Sequence, residues 1–375
     1  MVIDRSTTHE MLAQATSEEA ARLRYIVELK RRLTGYSSGM KRAFDGRAAA
    51  AYEAANGKAA ETREEIATAM TTDPFYQAWG SLTRTAQDLM WNTVEGTIRR
   101  DMPRMQAAAE MVGNAPAGGS LSLDPAFRAP ADAFAANIHG QPGGYMRLAD
   151  DQDIMAGALY ESGGNAFSAG TGIGSRDSKA GAVIAWLARE YPDLRPKRIL
   201  DLGCSAGGAS VAYAAHFPEA EVHAVDVGPA MLRYAHFRAE HLGVRVHFHQ
   251  MDAGALTFED ESFDLVVSHN LMHEVSKGML GKIFAEARRV LKPGGVVVHQ
   301  DVPVRGRDFS PFEQAMFSWQ TRNNDEPFWD DFVYADVPAR MREAGFGPDE
   351  SRELTIPMLD GPRFWYLVVG DKRAA

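Results

Sequence analysis

From residue 196 onward the sequence alternates short, β-branched apolar runs with helical segments. The runs are RILDL, EVHAVDV, RVHFHQMD, FDLVVSHN and GVVVHQDV. A strand that is apolar at nearly every position is buried on both faces, and strands separated by helices pair in parallel. Between them, PAMLRYAHFRAEHLG and KGMLGKIFAEARRVLKPGG read as helices. In the latter, Met279, Leu280, Ile283, Phe284, Ala287 and Leu291 share one face, and Pro293-Gly294-Gly295 ends it. LTIPM and FWYLVVG close the chain as two further strands. This pattern predicts an α/β fold: a doubly wound, seven-stranded, mostly parallel sheet.

The first hundred residues read as helical instead. Thr16 and Glu19 form a capping-box pattern ahead of AARLRYIVELKRRL, where Leu23, Ile26 and Val27 share a face. Asp73-Pro74 is an N-cap followed by proline at the first helical position. The helix it opens carries Phe75, Trp79, Leu82, Ala86, Leu89, Met90, Val94 and Ile98 on one large aromatic face, read as a domain core with a dimer interface as the alternative. Residues 112–145 are rich in Ala, Gly and Pro and read as a linker or an extended covering segment; a shorter glycine-rich stretch spans 161–179. The division expected is a helical, substrate-covering and dimerising domain over 1–175 and a second domain over 176–375.

A formal net charge of -10 argues against a broad nucleic-acid footprint. One cysteine cannot form an internal disulfide, the N-terminus lacks the layout of a signal peptide, and no apolar run approaches a membrane span. The expectation is a cytoplasmic protein whose partner is a small molecule, with neither nucleic acid nor membrane.

The loop ILDLGCSAGGAS, residues 199–210, lies at the first strand-to-helix turn of the sheet. Glycines there let a ligand approach the backbone, and the crevice of such a sheet lies beyond the carboxyl ends of its strands. No Walker lysine follows, so a nucleoside triphosphate is disfavoured. Asp201 would repel a pyrophosphate but suits a cationic amino-acid group. Asp226, ending the second strand, is placed to accept hydrogen bonds from ribose hydroxyls, and Asp252, ending the third, to meet an adenine amino group.

With those residues in place, 196–302 resembles a class I S-adenosylmethionine (SAM)-dependent methyltransferase. The family's acid-x-Gly-x-Gly-x-Gly motif matches as Asp201, Gly203, Ser205 and Gly207, with Cys204 at an intervening position given a packing role. Ser205 stands where the family has its middle glycine, which asks for a less strained backbone there. The resemblance implies SAM as cofactor and S-adenosylhomocysteine as product. It places Asp226 and Val227 at the ribose, Met231 on the adenine, Asp252 and Ala253 at the adenine edge, and the His269 backbone along the cofactor. FDLVVSHNLMHEV and LKPGGVVV match later motifs.

His273-Glu274 follows the fourth strand, where small-molecule O-methyltransferases carry a catalytic His-Asp pair. The resemblance therefore marks His273 and Glu274 as catalytic, with His273 read as base, as positioning group or as core residue. Those enzymes share this chain's length and a dimerising helical N-terminal domain, although no winged-helix pattern is present in residues 1–100. His299 and Asp301 are secondary candidates. The histidines 247, 249, 269, 273 and 299 sit on several strands whose alternation divides them, so no metal site is expected. An aromatic insertion over 305–335 reads as a lid in which Phe312, Met316, Trp319 and Trp329 line the acceptor pocket, or else dock the lid on the helical domain. Asn323, Asn324, Asp325 and Glu326 read as a solvated turn rather than as readers of a substrate. The activity expected is methylation of a small apolar or aromatic metabolite, most readily at oxygen. N- or C-methylation without a protein base, a peptide or protein acceptor, and a SAM-binding scaffold remain as alternatives.

Overall fold

The computed structural model describes residues 8–112, 117–168, 179–303, 305–359 and 363–373. Parts of both glycine-rich stretches, 113–116 and 169–178, lie outside them. The strands in chain order are β1 (Ser120–Ser122), β2 (Arg198–Leu202), β3 (Glu221–Asp226), β4 (His247–Gln250), β5 (Phe263–His269), β6 (Leu291–Asp301), β7 (Ser351–Pro357) and β8 (Phe364–Asp371). They form one sheet in the order β1-β4-β3-β2-β5-β6-β8-β7. The pairs from β1 to β6 are parallel, and β8 lies antiparallel between β6 and β7. Strand order reverses between β2 and β5, which opens a crevice at their carboxyl ends.

The continuous apolar strands are buried from both sides, as their composition requires. Ile199, Val222, Ala224, Leu265 and Val298 face the helices Lys179–Glu190 and Gly208–His216. Leu200, Leu202, Val225, Val266 and Val297 face the helix Lys277–Val290, whose Leu280, Ile283, Phe284 and Ala287 are buried against them.

Among the described residues the seven strands expected from the sequence are all present, and β1 makes an eighth. It is a Ser-Leu-Ser segment inside the Ala/Gly/Pro-rich stretch, pairing with His247–His249. Three residues with two serines carry no strand pattern of their own; the open edge of β4 supplies it.

Both N-terminal helix starts follow their capping signals. Thr16 and Glu19 exchange both capping-box bonds at the head of Ser17–Tyr36. Asp73 accepts from the Phe75 and Tyr76 N–H groups at 2.9 and 3.3 Å and opens the helix Pro74–Val112, which runs through Pro103. Ala86, Met90, Val94 and Ile98 are buried on it, but Leu82 and Leu89, expected on the same face, are exposed. The stripe is narrower than its periodicity suggested, since the neighbouring elements cover only one side of the helix.

The helical half is clamped to the sheet by the helix Met155–Phe167. A Cβ at its Gly157 would stand 2.4 Å from the Tyr234 side chain, and one at Gly163 would stand 2.4 Å from the Trp91 ring. Glycine at both positions lets this helix pass between two others. On the same helix, buried Glu161 meets the Tyr234 hydroxyl at 2.6 Å, Arg238 at 3.2 Å and His9 at 3.3 Å. Burial alone would raise its carboxyl; Arg238, His9 and Tyr234 together bring it down to about 2.

Candidate active site

Two hollows adjoin at the carboxyl ends of the strands. The first is a crevice lined by Gly203, Ser205, Asp226, Val227, Asp252, Ala253 and Asn270, with Tyr145 and Tyr160 on the covering side. A recess beside it carries Asp201, Cys204, Lys179 and His269. The sequence-expected cofactor residues therefore converge, with two exceptions. Met231 is buried among Ala156 and Ala230 beneath the crevice. Gly207 is the left-handed N-cap of the helix Gly208–His216, packed against Ala235 and Phe248. Both shape the floor without reaching the hollow.

Ser205 departs from expectation. It keeps a left-handed backbone, φ 48°, although it is not glycine. Such a conformation costs an L-residue about 1–2 kcal/mol. The Asp226 carboxylate offsets this, because Oδ2 accepts the Ser205 N–H at 2.9 Å while Oδ1 accepts that of Gly228 at 2.9 Å. One carboxylate thus fixes the loops after β2 and β3, and burial raises its pKa. Asp201 is fully enclosed and accepts from the Ser210 hydroxyl at 2.6 Å. Burial, with Asp226 nearby, pushes it up to about 7. Burial also holds the Cys204 thiol well above its usual value, so it stays protonated.

The second hollow is a cavity of about 210 Å³ between the helical half, the sheet and the lid. Its walls are largely aromatic: Trp91, Phe167, Trp329 and Trp365, with Tyr145, Tyr160 and Asn270 shared with the crevice. His273 faces this cavity, and Glu274 faces the crevice. The expected catalytic pair therefore stands at the junction.

The partner of His273 is not Glu274 alone. Its Nδ1 lies 2.5 Å from Asp301 Oδ1, and its Nε2 lies 3.4 Å from Glu274 Oε1. Asp301 also accepts the N–H groups of Met272, His273 and Val302, so the end of β6 pins the turn that carries the histidine. Across the junction stands His139, which no sequence signal marked. Its Nε2 is 3.1 Å from the same Glu274 Oε1, and its Nδ1 is 3.0 Å from Glu326 Oε1. The Tyr145 hydroxyl meets Glu274 Oε1 at 3.3 Å.

His139 is held in a left-handed conformation, φ 58°. Its carbonyl accepts from Gln87 Nε2 at 2.6 Å and from Trp91 Nε1 at 2.8 Å, both on the long helix. Burial would lower the pKa of each imidazole, but the facing carboxylates reverse this. Glu274 and Glu326 raise His139 to about 10, and Asp301 and Glu274 raise His273 well above the usual range. Both rings are therefore cationic, and with burial opposing them they hold Glu274 well below the usual carboxylate range. A cationic His273 has no free lone pair, which counts against its acting alone as a base.

Of the four lid residues expected in the pocket, only Trp329 lines it, with its ring 5.7 Å from that of His273. Phe312, Met316 and Trp319 pack into the N-terminal helical core, Phe312 on Phe44 at 5.4 Å and Trp319 on Trp79 at 5.1 Å. Three of the four thus dock the lid, and a stripe of rings carries no mark to separate anchor from lining. The stretch read as a solvated turn is corrected too: Asn324 and Glu326 are buried, with Asn324 bridging Gln87 and Glu326 at 2.7 and 2.8 Å.

His269 donates to and accepts from side chains, Gln300 at 3.1 Å and Tyr213 at 3.2 Å, and burial lowers it to about 3. His299 is enclosed in the sheet against Ser268 at 2.8 Å and Phe284, away from the cavity. His247 and His249 stack around His223 near the β1 edge. Of the five histidines considered together in the sequence, His247 and His249 stay side by side against His223, while His269, His273 and His299 lie elsewhere.

Residues 199–295 match the family model described as a methyltransferase domain. A "malonyl-[acyl-carrier protein] O-methyltransferase" of Halorhodospira halophila is 33% identical over 193 residues, covering 48% of this chain and 59% of that protein. A "demethylmenaquinone methyltransferase" of Thermus thermophilus is 36% identical over 126 residues, 33% of this chain and 56% of that protein. The chain spans about half the length of the curated relatives it matches. A solved structure of a putative O-methyltransferase from Nostoc punctiforme covers 90% of this chain and 97% of its own, at 16% identity and TM-score 0.47.

Proposed function

We propose that this chain, whose sheet half is a class I SAM-dependent methyltransferase domain, moves the methyl group of SAM to an oxygen of a small, partly aromatic acceptor. One observation carries the reading: the cofactor crevice and the aromatic cavity meet at Tyr145, Tyr160 and Asn270, with His273 and Glu274 at the junction. SAM lies along Asp226 and Asp252, its amino-acid end toward Asp201, and its methyl group toward the cavity. The aromatic walls take the acceptor's ring, and Trp329 Nε1, buried without a partner among the described residues, is a donor for a polar substituent.

Transfer is an in-line displacement in which the C–S bond breaks as the O–C bond forms, and close alignment supplies much of the rate. The acceptor hydroxyl enters by displacing the 3.4 Å contact between His273 Nε2 and Glu274 Oε1. It then lies against the His273 imidazolium, which orients it, and the Glu274 carboxylate, which takes its proton only as the O–C bond forms and the oxygen turns strongly acidic, as a carboxylate held below its usual range requires. The walls exclude water from that step. The O-methyltransferases among the similar proteins support oxygen as the acceptor atom.

The test is transfer of a labelled methyl group from SAM into cell extract by the full chain, with identification of the product. An O-methylated aromatic small molecule is expected, with turnover reduced about 10²–10⁴-fold in His273→Ala while SAM still binds. A methyl group found on nitrogen, carbon or a protein sinks the oxygen reading. Failure to bind SAM sinks the methyltransferase reading altogether.

A further inference from the structure

We infer that the junction between crevice and cavity is a binding site for one divalent transition-metal ion, held by His139, His273 and Glu274. Among the described residues these three form the group whose ligand atoms all lie within 4.8 Å of one another. The inference rests on the methyltransferase reading only for what the ion would do, not for whether it binds.

Three observations carry it. The first is edge length. Bonds of about 2.0–2.1 Å place adjacent ligand atoms about 3.0 Å apart in an octahedron and about 3.4 Å apart in a tetrahedron. The two imidazole-to-carboxylate edges are 3.1 and 3.4 Å, both to the same Glu274 oxygen. The second is the arrangement behind the ligands. Each histidine turns Nε2 to the junction and gives Nδ1 to a second carboxylate, Glu326 for His139 and Asp301 for His273. A carboxylate behind each ligating imidazole fixes its tautomer and ring orientation, as it does at histidine metal centres. The third is an unused acceptor: Glu274 Oε2 is buried with no hydrogen-bond partner among the described residues, as is Glu326 Oε2.

Two imidazoles and one carboxylate select a borderline transition ion over magnesium or calcium, which prefer all-oxygen sites. Three protein ligands leave positions open, and here the junction side faces the aromatic cavity. An ion there would displace the Nε2 protons of both imidazoles to solvent, take the acceptor's oxygen as a further ligand and lower its pKa, which favours acceptors with an oxygen donor beside a ring.

The experiment uses the full chain, stripped with chelator, dialysed and titrated with Co(II) alone, read by visible absorption and by equilibrium dialysis. SAM binding is measured on each sample. One equivalent of cobalt per chain is expected in the wild type, displaced by Zn(II). Uptake is lost in His139→Ala and in the isosteric Glu274→Gln, while His139→Ala, which lies outside the crevice, retains SAM binding. Glu326→Gln keeps the fold contacts and weakens uptake by about 10–100-fold, as for other carboxylates behind a ligand. Wild-type protein that binds SAM but takes up no stoichiometric cobalt overturns the site and leaves a purely ionic network. Uptake undiminished in His139→Ala or Glu274→Gln overturns it as well. Cobalt uptake that depends on these residues without any SAM binding supports the site and refutes the methyltransferase reading instead.

Discussion

The cofactor crevice and the cavity beside it share Tyr145, Tyr160 and Asn270, yet the two are assembled in opposite ways. The crevice draws its floor from three loops, after β2, β3 and β4, between Asp201 and Ala253, with Asn270 and Glu274 added from the loop after β5 and Tyr145 and Tyr160 from above. Its central tie is local: Asp226 holds the backbone of Ser205 and Gly228. The cavity gathers Trp91, His139, His273, Glu326 and Trp365 from the whole length of the chain. Its central tie is a run of charges, Glu326–His139–Glu274–His273–Asp301, linking lid, covering segment and sheet. A site closed by neighbouring strand ends survives small movements of the rest, whereas one closed across three bodies depends on their docking.

That difference can be broken at its seam. Glu161→Ala leaves buried Arg238 without its carboxylate and is expected to cost about 3–5 kcal/mol of stability, measured by urea unfolding. The same group predicts acid sensitivity. Its folded pKa of about 2 lies below the unfolded carboxylate value, so its contribution is full above about pH 4.5 and is lost as pH falls toward 2. A wild-type stability that does not fall faster than that of the variant across this window would refute the assignment.

A smaller effect tests the crevice alone. Asp226→Ala removes the acceptor of two backbone N–H groups and, in the proposed binding mode, of the ribose, and should weaken SAM binding about 100-fold by calorimetry. Acceptor binding in the cavity should change far less, and equal losses of both would show that the two sites are not separable.

The smallest effect concerns pH. Asp201, raised to about 7, is protonated in the empty protein below that pH and charged above it. The ammonium of SAM favours the charged form, so affinity should fall by up to about tenfold for each unit below pH 7. Asp201→Asn should flatten this profile. A raised acidic pKa also means that Asp201 opposes folding as pH climbs from about 3.8 to about 7, so the empty Asp201→Asn protein should be the more stable at pH 8.

The sheet and crevice were legible because their determinants are local. Continuous apolar runs bounded by helices specify buried parallel strands, and glycines followed by spaced acids specify the loops at their ends. Even there the structure corrected a detail: Ser205 keeps the left-handed turn because Asp226, distant in sequence, holds its N–H. The aromatic insertion was legible as a lid but not as to which rings line and which dock. Phe312 and Trp319 differ from Trp329 only in what the helical half places opposite them.

By itself, the sequence determined the doubly wound sheet, the helix starts at Thr16 and Asp73, and the acids that line the crevice. Each follows from periodicity, capping or turn chemistry within a short window. Tertiary structure alone decided that Ser120–Ser122 becomes a strand, that Glu326 is buried, and that His139 stands opposite His273. Those outcomes depend on an open sheet edge, on desolvation and on two carboxylates facing two imidazoles across three segments. No local pattern encodes them, because the groups that stabilise each one lie elsewhere in the chain.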